Sequence, residues 1–516
     1  MKNKIFTLCL AVMASIGTMV AEVYSGSCGD NVTWSLNTED STIIISGTGA
    51  MADYGAYDND GLLTITYDRP WEEHLLLIKH LITTDGVTCI GRRAFVGCSN
   101  MESISFGEGI NRIKDAAFGS YSLKKVNVNS LEIWCNISFE AYLCNPLECA
   151  HHLYVNNVEL TDIVIPNSIT RIGNYAFHGC YGVTNVTIPN SVTSIGEYAF
   201  CNCSLVNVTI PNSVTSIDTY AFCDCENLTN VSIPSSVVHF GKTPFIFCEN
   251  LSSIVVDNGN AIFDSRDNCN AVIKTATNEL VIGCKSTIIP NTVSVIKEGA
   301  FWGSGLTSII IPNSVQNIED YAFYSCDSLE SAIIGDNVIK IGDQAFGYCK
   351  NLANVKIGNK VEDIGWRSFG HCESIPSITI PNSVKRIGAA AFGECYNMSS
   401  LSIGSGLTSF GILAFCYCTN LTSIYNHATI PQSVTDSVFF KFNKSTCTLY
   451  VPDESVVLYK NANEWRDFNP ILPINTEGLE GTMADDKRSV KTIRDGQLII
   501  EKNGILYNAS GTILKQ

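Results

Sequence analysis

The sequence predicts an α/β repeat solenoid: rungs of about 23 residues, a ladder of short parallel strands, mostly strand and loop, with a cap at each end. Two observations carry this reading. A motif of about 23 residues, seen as VTNVTIPNSVTSIGEYAFCNC at Val183–Cys203, recurs with drift from about Leu81 to Cys418. A fixed period in this range marks stacked supersecondary units. The repeated phenylalanine gives the spacing: Phe177, Phe200, Phe222 and Phe245, then Phe301, Phe323, Phe346, Phe369, Phe392 and Phe415, almost all 22 or 23 residues apart, with Phe95 and Phe118 upstream at the same interval. The long intervals Phe118–Phe177 and Phe245–Phe301 read as one period plus an insertion of about 35 residues each.

These intervals divide the 516 residues into a signal peptide (1–21), an N-terminal β capping module (22–77), and a solenoid (78–424) with insertions near 119–159 and 252–288. A C-terminal cap (425–475) and a linker with a short β tail (476–516) follow. Repeat arrays break the usual relation between length and domain number, because each rung packs only on its neighbours. Lys2 and Lys4, the apolar run Ile5–Val20 and the small Ala21 have the layout of a secretory signal peptide, so the chain is expected outside the cytoplasm. No later stretch reaches the roughly 18 apolar residues that span a bilayer.

Loss of the two leader lysines takes the formal charge from −17 to −19, spread along the chain. Such a surface repels phosphate backbones, so nucleic acid and anionic membranes are not expected partners.

Within one rung, Asn185-Val186-Thr187-Ile188 alternates polar and apolar, as a half-buried strand does, and Pro189-Asn190-Ser191 ends it. Ile195, Ala199 and Phe200 return apolar atoms to the interior, and Gly196 is expected to allow a turn. About thirteen rungs at roughly 4.8 Å each predict a rod or arc on the order of 60 Å long. The preference for Ile makes the unit a variant leucine-rich repeat.

Ten of the 22 cysteines (Cys98, Cys180, Cys203, Cys225, Cys248, Cys326, Cys349, Cys372, Cys395 and Cys418) stand three residues after the phenylalanine. Stacked about 4.8 Å apart with parallel Cα–Cβ vectors, they fall just outside disulfide geometry and predict a buried thiol ladder. Cys201 and Cys223 are expected to neighbour each other on adjacent rungs, where a cross-rung disulfide is possible. No metal site is expected there, because a structural zinc needs about four converging ligands. Cys269/Cys284 and the trio Cys135, Cys144 and Cys149 are the expected bridge formers.

Other motifs imitate chemistry. Gly47-Thr48-Gly49-Ala50-Met51-Ala52 matches a dinucleotide fingerprint, but turn formers follow it where a helix is needed, so strand and loop of the capping module is expected. Asp264, Asp267, Asn268 and Asn270 lack the spacing of a calcium loop and read as a solvated turn. His151-His152 has no metal-binding context. No nucleophile elbow, distinct carboxylate pair or Ser/His/Asp grouping is present, so neither catalysis nor a cofactor is expected.

The outward strand positions form columns of small polar residues, suited to an exposed parallel sheet. Ile310 and Ile333 interrupt them on adjacent rungs, with Lys356 on the next, and form a candidate contact patch. Tyr175, Tyr198 and Tyr220 precede alanine in three consecutive rungs. They are expected to stack at the rung edge, and are candidates for contact with sugar or protein.

With the rung IPNSVxxIGxxAFxxC established, the chain resembles BspA-like leucine-rich repeat surface proteins of host-associated bacteria and some protists. Ser25–Trp34 followed by Ile45–Gly49 looks like that family's N-terminal module, and the two insertions also look familiar. The resemblance implies a secreted or outer-surface bacterial protein that adheres to extracellular host proteins such as fibronectin or fibrinogen, or to other cells. Binding of glycan or mucin, or a structural role in the envelope, are the alternatives. No catalytic or binding residues transfer.

At the C-terminal end, Leu449-Tyr450-Val451-Pro452 and a helix bearing Tyr459, Trp465 and Phe468 are expected to cover the last rung. Hairpin signals at Asp495-Gly496, Asn503-Gly504 and Ser510-Gly511 give the tail a likeness to sorting tails.

Overall fold

Short strands that bury one face each find their partners in the neighbouring rungs, and the chain winds into a parallel-strand solenoid of about 17 turns. The structure is a computed structural model that describes residues 22–55, 68–119 and 121–474, and in the tail 489–494, 497–502, 505–507 and 513–515. The leader (1–21), the linker (475–488) and the three tail hairpin dipeptides lie outside the described residues. In the tail, Ser489–Arg494, Gln497–Lys502, Ile505–Tyr507 and Ile513–Lys515 form an antiparallel meander.

Two ladders run along the solenoid. Asn185–Thr187 pairs in register with Asp162–Val164 and Asn207–Thr209, which stacks Ile163, Val186 and Val208 in the core. The shorter Ser194–Ile195 pairs with Arg171–Ile172 and Ser216–Ile217. A one-residue slip would turn every inward side chain outward, so the buried face enforces this register. Between the ladders the Ser of a Pro-Asn-Ser turn donates to the rung before it in three rungs, Ser191 Oγ to Ile169 O at 2.7 Å, Ser213 Oγ to Val192 O at 2.7 Å and Ser383 Oγ to Val361 O at 2.7 Å.

The expected role of Gly196 is corrected. Its backbone is not left-handed; instead a Cβ there would lie 2.5 Å from Asn174 Oδ1 and 2.8 Å from Asn174 N. This glycine lets adjacent rungs approach. The left-handed residues stand elsewhere in the rung, two before and two after the phenylalanine: Tyr198 (φ 52°) and Asn202 (φ 59°), then Tyr220 (φ 56°) and Asp224 (φ 53°).

The buried phenylalanines form two parallel stacks. Rings of Phe177, Phe200, Phe222 and Phe245 follow at 5.3–5.4 Å, and those of Phe301, Phe323, Phe346, Phe369, Phe392 and Phe415 at 4.8–5.4 Å. Beside them runs the thiol ladder. Its cysteines are free, and from Cys203 onward their sulfurs donate to the phenylalanine carbonyl of the preceding rung: Cys203 to Phe177 O at 3.1 Å, Cys349 to Phe323 O at 3.1 Å, Cys372 to Phe346 O at 3.1 Å.

The expected bridges are also corrected: Cys135, Cys144, Cys269 and Cys284 are free. Cys284 Sγ donates to Asn270 O at 3.2 Å, and Cys144 Sγ accepts from Ala141 N at 3.1 Å, so main-chain groups take the contacts.

Residues 119–159 do not leave the array. Lys125–Val128 pairs with Ser103–Phe106, and Leu153–Val155 with Lys125–Val128. A short helix, Leu131–Cys135, replaces the usual return path, and Trp134 takes an aromatic position in the core with Nε1 donating to Ala176 O at 2.7 Å. These turns lack the Ala-Phe signature, which is why the motif count of thirteen falls short of 17.

The second long interval has a different architecture. Ala271–Lys274 and Glu279–Gly283 form an antiparallel hairpin between the two phenylalanine stacks. Val272, Ile282 and Cys284 join the N-terminal core, whereas Ala271, Ile273 and Leu280 join the C-terminal one. Alternation divides Ala271–Ile273 between the cores, and a bulge at Val281 places Leu280 and Ile282 on opposite sides, so each core receives one face of the hairpin.

Both ends are covered. Val23–Gly29, Val32–Asn37 and Thr42–Gly47 make an antiparallel meander whose last strand pairs parallel with His80–Thr83, and Trp71 stacks on Phe95 at 5.3 Å. The Gly47–Ala52 segment is strand and loop here, and the described residues directly after it, Asp53–Gly55, carry no helix. At the other end the helix Val456–Asn461 carries Tyr459, whose hydroxyl donates to Ala428 O at 3.0 Å. Trp465 Nε1 donates to Gln432 O at 2.8 Å. Among the described residues no helix is long and apolar enough to cross a membrane.

Candidate functional site

A strand of this solenoid can offer a partner only its outward positions, and register lines these up across rungs. Ile310 pairs with Ile333, and Ile333 with Lys356, as direct cross-strand neighbours. Ile310 and Lys356 are exposed and Ile333 is half-buried. The patch is therefore contiguous: two apolar side chains followed by a cation, beside outward Ser308, Ser331 and Asn354.

The same outward column ends on a stripe that the repeat did not reveal. Ser402 pairs with Tyr425, Tyr425 with Tyr450, and Tyr450 with Leu472. The two tyrosine rings stack at 4.6 Å, and Leu472 is exposed. The signal was present in the alternation Ser423-Ile424-Tyr425-Asn426 and Thr448-Leu449-Tyr450-Val451, but these strands lack the Ala-Phe step that defines the period.

Tyr175, Tyr198 and Tyr220 lie on another side, at the turn. Tyr175 and Tyr198 stack at 5.5 Å, and Tyr198 and Tyr220 meet at 4.9 Å. All three are half-buried, and burial pushes the Tyr175 and Tyr198 phenols up. Tyr198 and Tyr220 pack over a small cluster made of Cys201, Cys223 and Ile246, with Phe247 and Trp302 alongside.

The junction between the two stacks is open. A cleft of about 500 Å³ there is lined by Phe240, Lys242, Phe263, Lys274, Glu279 and Lys297, among others. Lys297 Nζ reaches Glu319 at 2.7 Å and Glu279 at 3.9 Å, which ties the hairpin to the next rung.

Of the motifs that imitate chemistry, Asp264 is held by Arg266 (Nε–Oδ1 2.7 Å, Nη2–Oδ2 2.6 Å) and accepts from Thr275 Oγ1 at 2.7 Å. Its oxygens are committed to an internal clamp. Asp267, Asn268 and Asn270 occupy left-handed turn positions. His152 Nδ1 lies 2.7 Å from Glu159, and His151 stacks on Tyr181 at 4.2 Å.

The sequence model of the BspA type leucine rich repeat region matches in six copies, over residues 73–149, 148–271, 280–398 and 340–464. Comparison with curated proteins gives no match. Among solved structures, a leucine-rich repeat protein from Eubacterium ventriosum is similar at 20% identity and TM-score 0.44, over 80% of this chain and 97% of that one. A leucine rich cell surface protein from Faecalibacterium prausnitzii is 22% identical, with TM-score 0.41 over 81% and 96% of the two chains. The pneumococcal vaccine antigen PcpA is 18% identical, with TM-score 0.45 over 89% and 100%. Its matched segments taken together cover most of the sequence, and the chain belongs to the BspA-type leucine-rich repeat family.

Proposed function

We propose that this protein is secreted or displayed on the outer surface of a bacterial cell and acts, adhesin-like, as a binding protein for host matrix or for other cells. The observation that carries the reading is the registered outward column, in which Ile310, Ile333 and Lys356 form one patch and Tyr425, Tyr450 and Leu472 another. Apolar and aromatic side chains on a sheet of small polar residues are the composition that protein contacts favour. Tyr175, Tyr198 and Tyr220 spend much of their ring area on each other and on buried thiols, so the contact is centred on the sheet rather than on the tyrosine edge.

The test is surface plasmon resonance of residues 22–516 over immobilised fibronectin, fibrinogen, mucin and a glycan panel. Saturable binding to a protein is expected, and Ile310→Asn with Ile333→Asn is expected to weaken it by roughly tenfold or more, as loss of a contact centre does. Binding to mucin or glycans alone would reassign the protein to sugar recognition. Silence on every surface would leave a structural role in the envelope.

A further inference from the structure

The residue directly after each buried phenylalanine forms a column of its own, and three consecutive rungs place His178, Cys201 and Cys223 in it. The next residue of the third rung is Asp224. Backbone bonds hold these rungs in step: Gly179 N donates to Cys201 O at 2.9 Å, Asn202 N to Cys223 O at 2.8 Å and Asp224 N to Ile246 O at 2.9 Å. The sulfurs of Cys201 and Cys223 and a carboxylate oxygen of Asp224 all lie within 4.8 Å of one another, and Cys223 Sγ donates to Asp224 Oδ2 at 2.9 Å. This is the only such grouping of three or more His, Cys, Asp or Glu donors among the described residues.

We propose that Cys201, Cys223 and Asp224 form a binding site for a borderline-soft divalent cation of the zinc type. Two thiolates and a carboxylate are a donor set such ions favour, and ligand distances of about 2.0–2.3 Å require only that these groups close up slightly. Three further features of a built site are present. Glu148 Oε2 lies 2.8 Å from His178 Nδ1, and His178 also hydrogen-bonds Cys201. The carboxylate–imidazole pair thus orients a ligand from behind, as second-layer partners in metal sites do. Tyr198, Tyr220, Ile246, Phe247 and Trp302 enclose the thiols in an apolar shell. Asp224, half-buried, also lines a surface cleft of about 360 Å³ with Glu226, which provides the entry path that a site must have.

The sequence reading gave Cys201 and Cys223 no metal role because a structural zinc needs about four converging ligands and only the two thiols were seen to meet. Aligning the column would have brought in His178.

The experiment is equilibrium dialysis of the untagged protein, residues 22–516, prepared without chelator, against Zn²⁺, followed by Co²⁺ substitution and absorption spectroscopy. One equivalent of Zn²⁺ and a thiolate-to-cobalt charge-transfer band are expected. Both are expected to be lost in Cys201→Ser and in Cys223→Ser, and kept in Cys416→Ser, which occupies the same column next to Gly393 rather than a second thiol. Asp224→Asn, at the cleft, supplies a variant less exposed to folding defects, and is expected to lower affinity at least tenfold. His178→Gln is expected to lower it by 10–100-fold while keeping the two-thiolate band, as loss of a positioning residue does. Absence of stoichiometric binding, a band unchanged by the Cys201 and Cys223 substitutions, or a Cys201–Cys223 disulfide in protein taken from culture medium would each overturn the proposal.

Discussion

At the residue scale the ladder cysteine does two jobs that its neighbours in size do not combine. It fills a core position with a polarisable apolar atom and donates a weak bond to a carbonyl that the phenylalanine turn leaves facing the next rung. Serine would donate more strongly but fill less space, and alanine would not donate at all. Cys372→Ala is expected to cost about 1–2 kcal/mol in urea denaturation, from lost volume and the lost thiol–carbonyl bond. Phe346→Ala, from the middle of a stack, is expected to cost about 3–5 kcal/mol. Titration with a chromogenic disulfide at pH 8 is expected to find the ladder thiols silent in native protein and reactive in denaturant, because they are buried and burial pushes Cys180 and Cys98 up to about 12. The ladder was legible in the sequence because periodicity and Cβ geometry suffice to predict it. Its acceptors were not, because a main-chain carbonyl has no letter of its own.

Among elements, the hairpin Ala271–Gly283 is the least repeat-like and the most constrained. A Cβ at Gly283 would come within 2.0 Å of Phe301, so Gly283→Ala is expected to destabilise the protein by about 1–3 kcal/mol through overpacking, measured as a lower urea midpoint. The approach to the hairpin is clamped by Asp264. Burial opposes charge on this carboxyl, but hydrogen bonds from Arg266 and Thr275 outweigh it and hold it below the usual carboxylate value of 3.8. A depressed folded-state value means stability that is present above the unfolded value and is lost as pH falls through the folded one. Acid titration is therefore expected to show a loss of stability below about pH 4 that Asp264→Asn reduces. The two strands of this hairpin were hidden in the sequence because a wedge buried on both faces reads as an apolar run, with no outward polar residues to mark alternation. The segment 119–159 was hidden differently, since Trp134 fills the core there without the Ala-Phe step.

Across the whole molecule, the apolar interior divides into two large clusters that meet at the hairpin and at the Phe247–Trp302 step beside it. Solenoid stability is a sum of rung and nearest-neighbour terms, so a weak interface divides cooperativity. Hydrogen exchange read by mass spectrometry at increasing urea is expected to show two protected blocks that open separately, with the division inside 269–284; one block opening throughout would refute it. The period predicted the stacking and the register. It did not predict this division, because a motif count measures similarity between rungs rather than the contacts between the last rung of one array and the first of the next.

Because the hairpin turns one face to each side, the fit between the two arrays is concentrated at the hairpin and at the Phe247–Trp302 step beside it. Whole rungs can be gained or lost in the stretch from Phe323 to Phe415 without disturbing the seat of Phe245. A gene of this design is free to vary its reach by recombination in either half while its middle stays fixed. Length variation between relatives is accordingly expected to fall outside the wedge.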